Sequence, residues 1–291
     1  AAMWYVGATC ADLVGYWLYD VEGGWRWMLG SAAIPCLLIL IGRFELPESP
    51  RWLLRKGRVK ECEEMMIKLF VEPVAFDEEQ PQQTRFRDLF NRRHFPFVLF
   101  VAAIWTCQVI PMFAIYTFGP QIVGLLGLGV GKNAALGNVV ISLFFMLGCI
   151  PPMLWLNTAG RRPLLIGSFA MMTLALAVLG LIPDMGIWLV VMAFAVYAFF
   201  SGGPGNLQWL YPNELFPTDI RASAVGVIMS LSRIGTIVST WALPIFINNY
   251  GISNTMLMGA GISLFGLLIS VAFAPETRGM SLAQTSNMTI R

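Results

Sequence analysis

Pro47-Glu48-Ser49-Pro50-Arg51 and Pro275-Glu276-Thr277-Arg278-Gly279 are near-copies of one another, and each follows directly on a long apolar run. A short acidic-basic motif, repeated where a hydrophobic segment ends, marks an internally duplicated membrane protein. Duplication of this kind is a construction that membrane carriers use, with the site at the junction of the repeats.

Composition supports the membrane half of that reading. Of 291 residues 57% are hydrophobic and 12% charged, whereas soluble domains average about 25% charged. The net charge of +2 argues against a nucleic-acid partner. Cys10, Cys36, Cys62, Cys107 and Cys149 show no CxxC or zinc-type spacing, and His94 is the only histidine. No metal or cofactor is therefore expected. No nucleophile-base pair is visible either, so the chain does not read as an enzyme. Ala1 opens inside an apolar run, which suggests a fragment or a processed start.

A helix needs about 20 mostly apolar residues to cross the hydrocarbon core. Eight stretches qualify: 1–19, 25–46, 95–123, 134–157, 164–183, 187–211, 222–247 and 254–274. The one long polar stretch, 47–94, carries Arg55, Lys56, Arg58, Lys60, Glu61, Glu63 and Glu64 at helical spacing, then the acidic run Asp77-Glu78-Glu79. It reads as short surface helices on one membrane face. Alternating sides, the segments 47–94, 158–163, 212–221 and 275–291 share that face. Of the 19 Lys and Arg, only Arg26, Arg43, Lys132 and Arg233 lie elsewhere. Basic loops stay in the cytoplasm, which predicts that both ends of this chain lie inside.

Helix-weakening residues interrupt several spans: Pro111, Gly119 and Pro120; Pro151-Pro152; Gly202-Gly203-Pro204-Gly205; and Pro244. Broken helices are tolerated where they line a cavity or pack on neighbours, and the glycine run is expected to face a substrate or act in gating. Gly127-Leu128-Gly129-Val130-Gly131-Lys132-Asn133 is not a phosphate loop, because Leu126 and Asn133 stand where that motif needs Gly and Ser/Thr.

Four landmarks, in this order, resemble the major facilitator superfamily and most clearly its sugar-porter branch. They are Pro47-Glu48-Ser49-Pro50-Arg51-Trp52-Leu53; Gly160-Arg161-Arg162-Pro163; Glu214-Leu215-Phe216-Pro217 with Arg221; and Pro275-Glu276-Thr277-Arg278-Gly279-Met280-Ser281-Leu282. The resemblance implies an all-α polytopic membrane protein, a major-facilitator-type bundle with eight transmembrane helices present. These would be family helices five to twelve, with the first four missing. It also divides the chain: 1–46, the last two helices of the N-terminal repeat; 47–94, a cytoplasmic helical linker; 95–274, the C-terminal six-helix repeat; and 275–291, a tail. Glu48, Glu214 and Glu276 with Arg51, Arg161, Arg162, Arg221 and Arg278 would form a cytoplasmic charge network that parts when the carrier opens inward.

By the same resemblance the substrate meets family helices seven, eight, ten and eleven. Where family helix seven usually carries two Gln and an Asn, this chain has Cys107, Gln108 and Phe113, so the sugar-binding amides thin out. Gly203, Pro204 and Trp209 match family helix ten, with Asn206 and Gln208 as nearby polar groups. Arg233 stands alone in the uncharged stretch 222–247, ~18 Å along the helix from Arg221. Its run Ser232-Arg233-Ile234-Gly235-Thr236-Ile237-Val238 resembles organic-ion carriers of the superfamily, where such a guanidinium meets a carboxylate. Asp12 is a possible intramembrane acid. The expectation is a monomeric secondary carrier in membrane lipid that moves a small-molecule substrate, leaning to an organic anion, with a coupling proton. A sugar or polyol carrier is the alternative, and a non-transporting metabolite sensor the reading from another class.

Overall fold

The computed structural model describes residues 2–44, 48, 50, 53, 57–69, 89–125, 131–182, 186–280 and 285. The chain forms two compact units, residues 21–82 and residues 1–20 with 83–291. Arg51 of the expected charge network and the acidic run Asp77-Glu78-Glu79 lie outside the described residues.

The smaller unit holds α2 (Gly24–Ser31), α3 (Ala33–Arg43) and α4 (Val59–Leu69). Ala32 is itself right-handed helical, so α2 and α3 run on as one apolar stretch, Gly24–Arg43, long enough to span a bilayer. α4 is the surface helix that the 47–94 polarity predicts. It buries Cys62 and Met66 with Leu53 and exposes Lys60, Glu61, Glu63 and Glu64. Arg58 and Glu61 pair one turn apart, and the Arg58 hydrogen bond holds the Glu61 carboxyl below its usual value.

The larger unit holds α1 (Ala2–Trp17), α5 (Phe95–Leu125), α6 (Lys132–Gly148), α7 (Ile150–Ala159), α8 (Arg161–Leu181), α9 (Ile187–Leu215) and α10 (Thr218–Phe273). Uninterrupted helix is what the apolar composition demands, because lipid offers no partner for a free backbone N–H or C=O. Among the described residues six stretches are long and apolar enough to cross a membrane. The last divides at Gly251, whose φ of 79° and ψ of 169° end one helix and start the next. That division and the 16-residue α1 account for the eight expected segments. Pro151 and Pro152 sit in the first turn of α7, where a missing N–H costs no helical bond.

The Gly202–Gly205 run does not break its helix, contrary to the sequence expectation of an interrupted span. α9 runs straight through it, with Pro204 and Pro212 inside. The glycines instead remove side-chain bulk from a crowded crossing. A Cβ on Gly202 would lie 2.1 Å from Gly148 O of α6, and one on Gly203 would lie 2.0 Å from Ser168 Oγ of α8. One on Gly205 would meet Tyr5 Oη of α1 at 2.5 Å. Small residues that let helix backbones touch are the usual basis of helix association in membranes. Around this crossing Trp105, Phe145, Phe169, Phe194 and Tyr197 are fully buried.

Gly202→Ala is expected to lower the unfolding temperature in detergent by about 5 °C or more, since the clash is with backbone and cannot relax by a rotamer change. Gly226→Ala, at a site with nothing within 4 Å of the added carbon, should leave it unchanged or slightly raised.

Candidate functional site

The close approach of α9 brings an amide, a hydroxyl and three phenols together inside the larger unit. Gln108 of α5 is fully buried, and its Nε2 donates to Ser201 Oγ of α9 at 3.1 Å and contacts Met112 Sδ at 3.2 Å. Tyr5 of α1 reaches the same methionine, its hydroxyl 3.9 Å from Sδ. The Phe145 ring stands among Tyr5, Tyr116 and Tyr197, with centroids 5.9, 5.0 and 6.0 Å away. Two buried amide oxygens, Gln108 Oε1 and, two turns along α9 from Ser201, Gln208 Oε1, have no hydrogen-bond partner among the described residues, while the Tyr116 and Tyr197 hydroxyls only loosely approach Ser142 and Ser201. A buried polar atom without a partner costs about 1–3 kcal/mol. Such atoms gathered along two facing helices mark a place where a polar ligand or water belongs.

The remaining sequence candidates border this patch in different ways. Trp209 follows Gln208, is 40% exposed, and packs edge-to-face with Trp105 at 4.9 Å. Asn206 donates Nδ2 to Cys149 O at 3.0 Å. It thereby satisfies a carbonyl at the α6–α7 junction and ties α9 to it. Phe113 lies one turn beyond Gln108 with Trp4 6.1 Å away, and the exposed Arg233 guanidinium rests over its ring at 5.2 Å. No carboxylate pairs with Arg233 among the described residues.

At the basic end the charges interlock through one helix start. Glu276 accepts the backbone N–H groups of Arg161 and Arg162 at 3.0 and 3.1 Å, the first two residues of α8, and that of Arg278 at 3.0 Å. A carboxylate on the free amides of a helix N-terminus is favoured by both hydrogen bonding and the helix dipole. Gly160 makes this possible. Its φ of 90° suits glycine alone, and a Cβ there would stand 2.6 Å from Glu276 Oε2. Arg161 pairs with Glu214 Oε1 at 2.7 Å while their side chains are only 11% and 13% exposed. Thr277 Oγ1 donates to Glu214 Oε2. Arg162 Nη2 donates to Val271 O at 2.8 Å, and Arg221 donates to Phe216 O through Nε and Nη2. Glu48 is exposed and belongs to the smaller unit.

Asp12 faces α6, where Asn138 Nδ2 donates to Oδ1 at 3.0 Å and Ser142 Oγ meets Oδ2. Tyr5, Tyr116, Tyr197, Ser201, Asn138 and Ser142 carry no motif that singles them out in the sequence. Only small residues facing them across a helix crossing, such as Gly119 and Gly205, could have drawn attention there.

The larger unit is thus a helical bundle with a polar, aromatic-walled patch at a helix crossing and a charge-capped end. The family described as "Sugar (and other) transporter" matches residues 1–289, and the chain belongs to that family. It is 32% identical to the inner membrane metabolite transport protein YgcS of Escherichia coli strain K12, over 99% of this chain and 64% of that protein. It is 29% identical to the glucose transporter GlcP of Staphylococcus epidermidis, over 96% of this chain and 65% of that one. The fold matches the major facilitator superfamily proton:xylose symporter XylE bound to 6-bromo-6-deoxy-D-glucose, with a TM-score of 0.77 at 22% identity. That match covers 97% of this chain and 64% of XylE. The chain thus spans just under two thirds of the relatives it matches. These proteins are membrane transporters, not enzymes.

Removing one partner of the Arg161–Glu214 pair leaves a poorly hydrated charge. Glu214→Gln is expected to destabilise the protein by about 3 kcal/mol. The double variant with Arg161→Gln should lose less than the sum of the two single losses in a double-mutant cycle of detergent unfolding.

Proposed function

We propose that the protein is a secondary active carrier of a small polyhydroxylated metabolite, a sugar or polyol, coupled to protons and working by alternating access. The observation that carries this reading is the pair of unpartnered buried amide oxygens, Gln108 Oε1 and Gln208 Oε1, on the two facing helices that also carry the Tyr116 and Tyr197 phenols and Trp209. A polyol presents hydroxyls that both donate and accept, which suits amide oxygens and phenols together, and its C–H face packs on an indole. Family membership supports the same class, and among the relatives are an arabinose-proton symporter and a myo-inositol transporter of Bacillus subtilis. The basic end is the cytoplasmic one by the distribution of Lys and Arg. Residues 1–46 and 95–274 belong to the two repeats that rock about the site, with 47–94 as linker and 275–291 as tail. The Glu276 and Arg161–Glu214 contacts join helix ends within the C-terminal repeat and its tail, and brace its cytoplasmic end as the two repeats move apart on inward opening.

A second reading, an organic anion as substrate, rests on Arg233. Its guanidinium lies over Phe113 beside this patch with no paired carboxylate among the described residues. An arginine at membrane depth is costly and calls for a partner that the ligand can supply.

Uptake by the full-length protein in proteoliposomes separates these readings. Labelled sugars and polyols should accumulate when a proton gradient is imposed. Gln108→Ala should weaken apparent affinity about tenfold, or ~1.4 kcal/mol. Carboxylates taken up in place of neutral polyols, with loss of uptake in Arg233→Gln, would favour the anion reading. Binding without flux would make the protein a sensor.

A further inference from the structure

The contacts between α1 and α6 follow a single antiparallel register. Tyr5 stacks on Phe145, Thr9 Oγ1 donates to Ser142 O at 3.2 Å, and Asp12 meets Ser142 and Asn138. At the far end Lys132 lies 5.4 Å from the Tyr16 ring centroid and pairs with Asp20. Residue numbers rise on one helix as they fall on the other, so this is a continuous seam and not a chance crossing. In the proposed arrangement α1 belongs to one repeat and α6 to the other, and the seam runs from the midplane to the outer face.

One residue in the seam is out of keeping with the rest. Asp12 is partly buried about two turns in from Asp20, and its partners are a neutral amide and a neutral hydroxyl. Among the described residues no Lys, Arg or His pairs with it. The titratable groups on the elements around it are engaged elsewhere or are neutral phenols. Lys132 is held by Asp20 and Tyr16, Arg233 lies over Phe113 beside Trp4, and Tyr116 and Tyr197 pack on Phe145. The site is also shaped for these partners. A Cβ on Gly119 would fall 1.9 Å from Asn138 Oδ1, so α5 leaves room for the amide that reaches Asp12.

We propose that Asp12 is a proton-binding latch, and that the seam closes on its neutral carboxyl. A carboxylate removed from water with no counter-charge is expensive even with Asn138 Nδ2 and Ser142 Oγ donating to it. On protonation its carbonyl oxygen keeps the Asn138 bond, and the Ser142 hydroxyl turns to accept the new proton. Closing the seam therefore takes up one proton from the outer side, and opening it restores water and releases the proton. The latch rests on the carrier reading above for its outer location and its role in the cycle.

The test uses the full-length protein in nanodiscs, with Cys10 and Cys36 replaced by Ser and spin labels on Tyr19→Cys and Asn133→Cys at the outer end of the seam. As pH falls from about 8 to about 5.5, the short-distance population should grow, because protons favour the closed seam. Asp12→Asn, which mimics the neutral acid, should keep that population high at every pH. Asp12→Glu should restore the pH response, and Ser142→Ala should shift closure to lower pH by removing the acceptor of the acid's proton. Asp20→Asn should leave the rise on acidification intact. A distance distribution indifferent to pH, or one that responds equally in wild type and Asp12→Asn, overturns the latch even if uptake is normal. A working latch without uptake leaves it standing and overturns the carrier reading instead.

Discussion

The backbone of α9 lies directly against three other helices because Gly202, Gly203 and Gly205 carry no Cβ. In lipid there is no hydrophobic gain from bringing apolar helices together, so contact depends on how closely they fit. This crossing supplies that fit, and the site is built from its consequences. Ser201 comes within a hydrogen bond of Gln108, the Tyr5 hydroxyl reaches the α9 backbone at Gly205, and Asn206 closes onto Cys149. Moving α9 out by one methyl group would separate the amide from the hydroxyl that orients it.

The two ends of the larger unit are fastened by different chemistry. At the basic end a carboxylate caps a helix and a nearly buried ion pair adds a second tie. At the other end the ties are a ring stack, a hydroxyl, a carboxyl with neutral partners, and an exposed ion pair. In the proposed cycle the first set braces helix ends within one repeat, whereas the second joins helices assigned to different repeats, where a carboxyl that takes up a proton would bias closure.

Parts of this were legible in the chain because they depend on local composition. Apolar runs of membrane length announce helices, since a backbone in lipid has few other options. The Gly160-Arg161-Arg162 and Pro275-Glu276 landmarks were also visible. Their joint meaning, a carboxylate capping a helix 115 residues earlier in the chain, was not. The Gly202–Gly205 run was noticed and misjudged as a break. Glycine and proline weaken an isolated helix, but with neighbouring helices packed against it α9 stays helical through the run.

The sequence by itself determined the helices, their membrane setting and the uneven sides of the molecule, because each follows from residue type and spacing along one segment. Only the tertiary structure decided which side chains meet. Tyr5, Asn138 and Ser142 carry no motif, and Asp12, visible in the sequence as an acid within an apolar run, has no partners until α6 is laid against α1. A hydrogen bond between residues more than a hundred positions apart depends on the register and closeness of two helices. That register is set by packing over their whole length, which no single stretch of sequence contains.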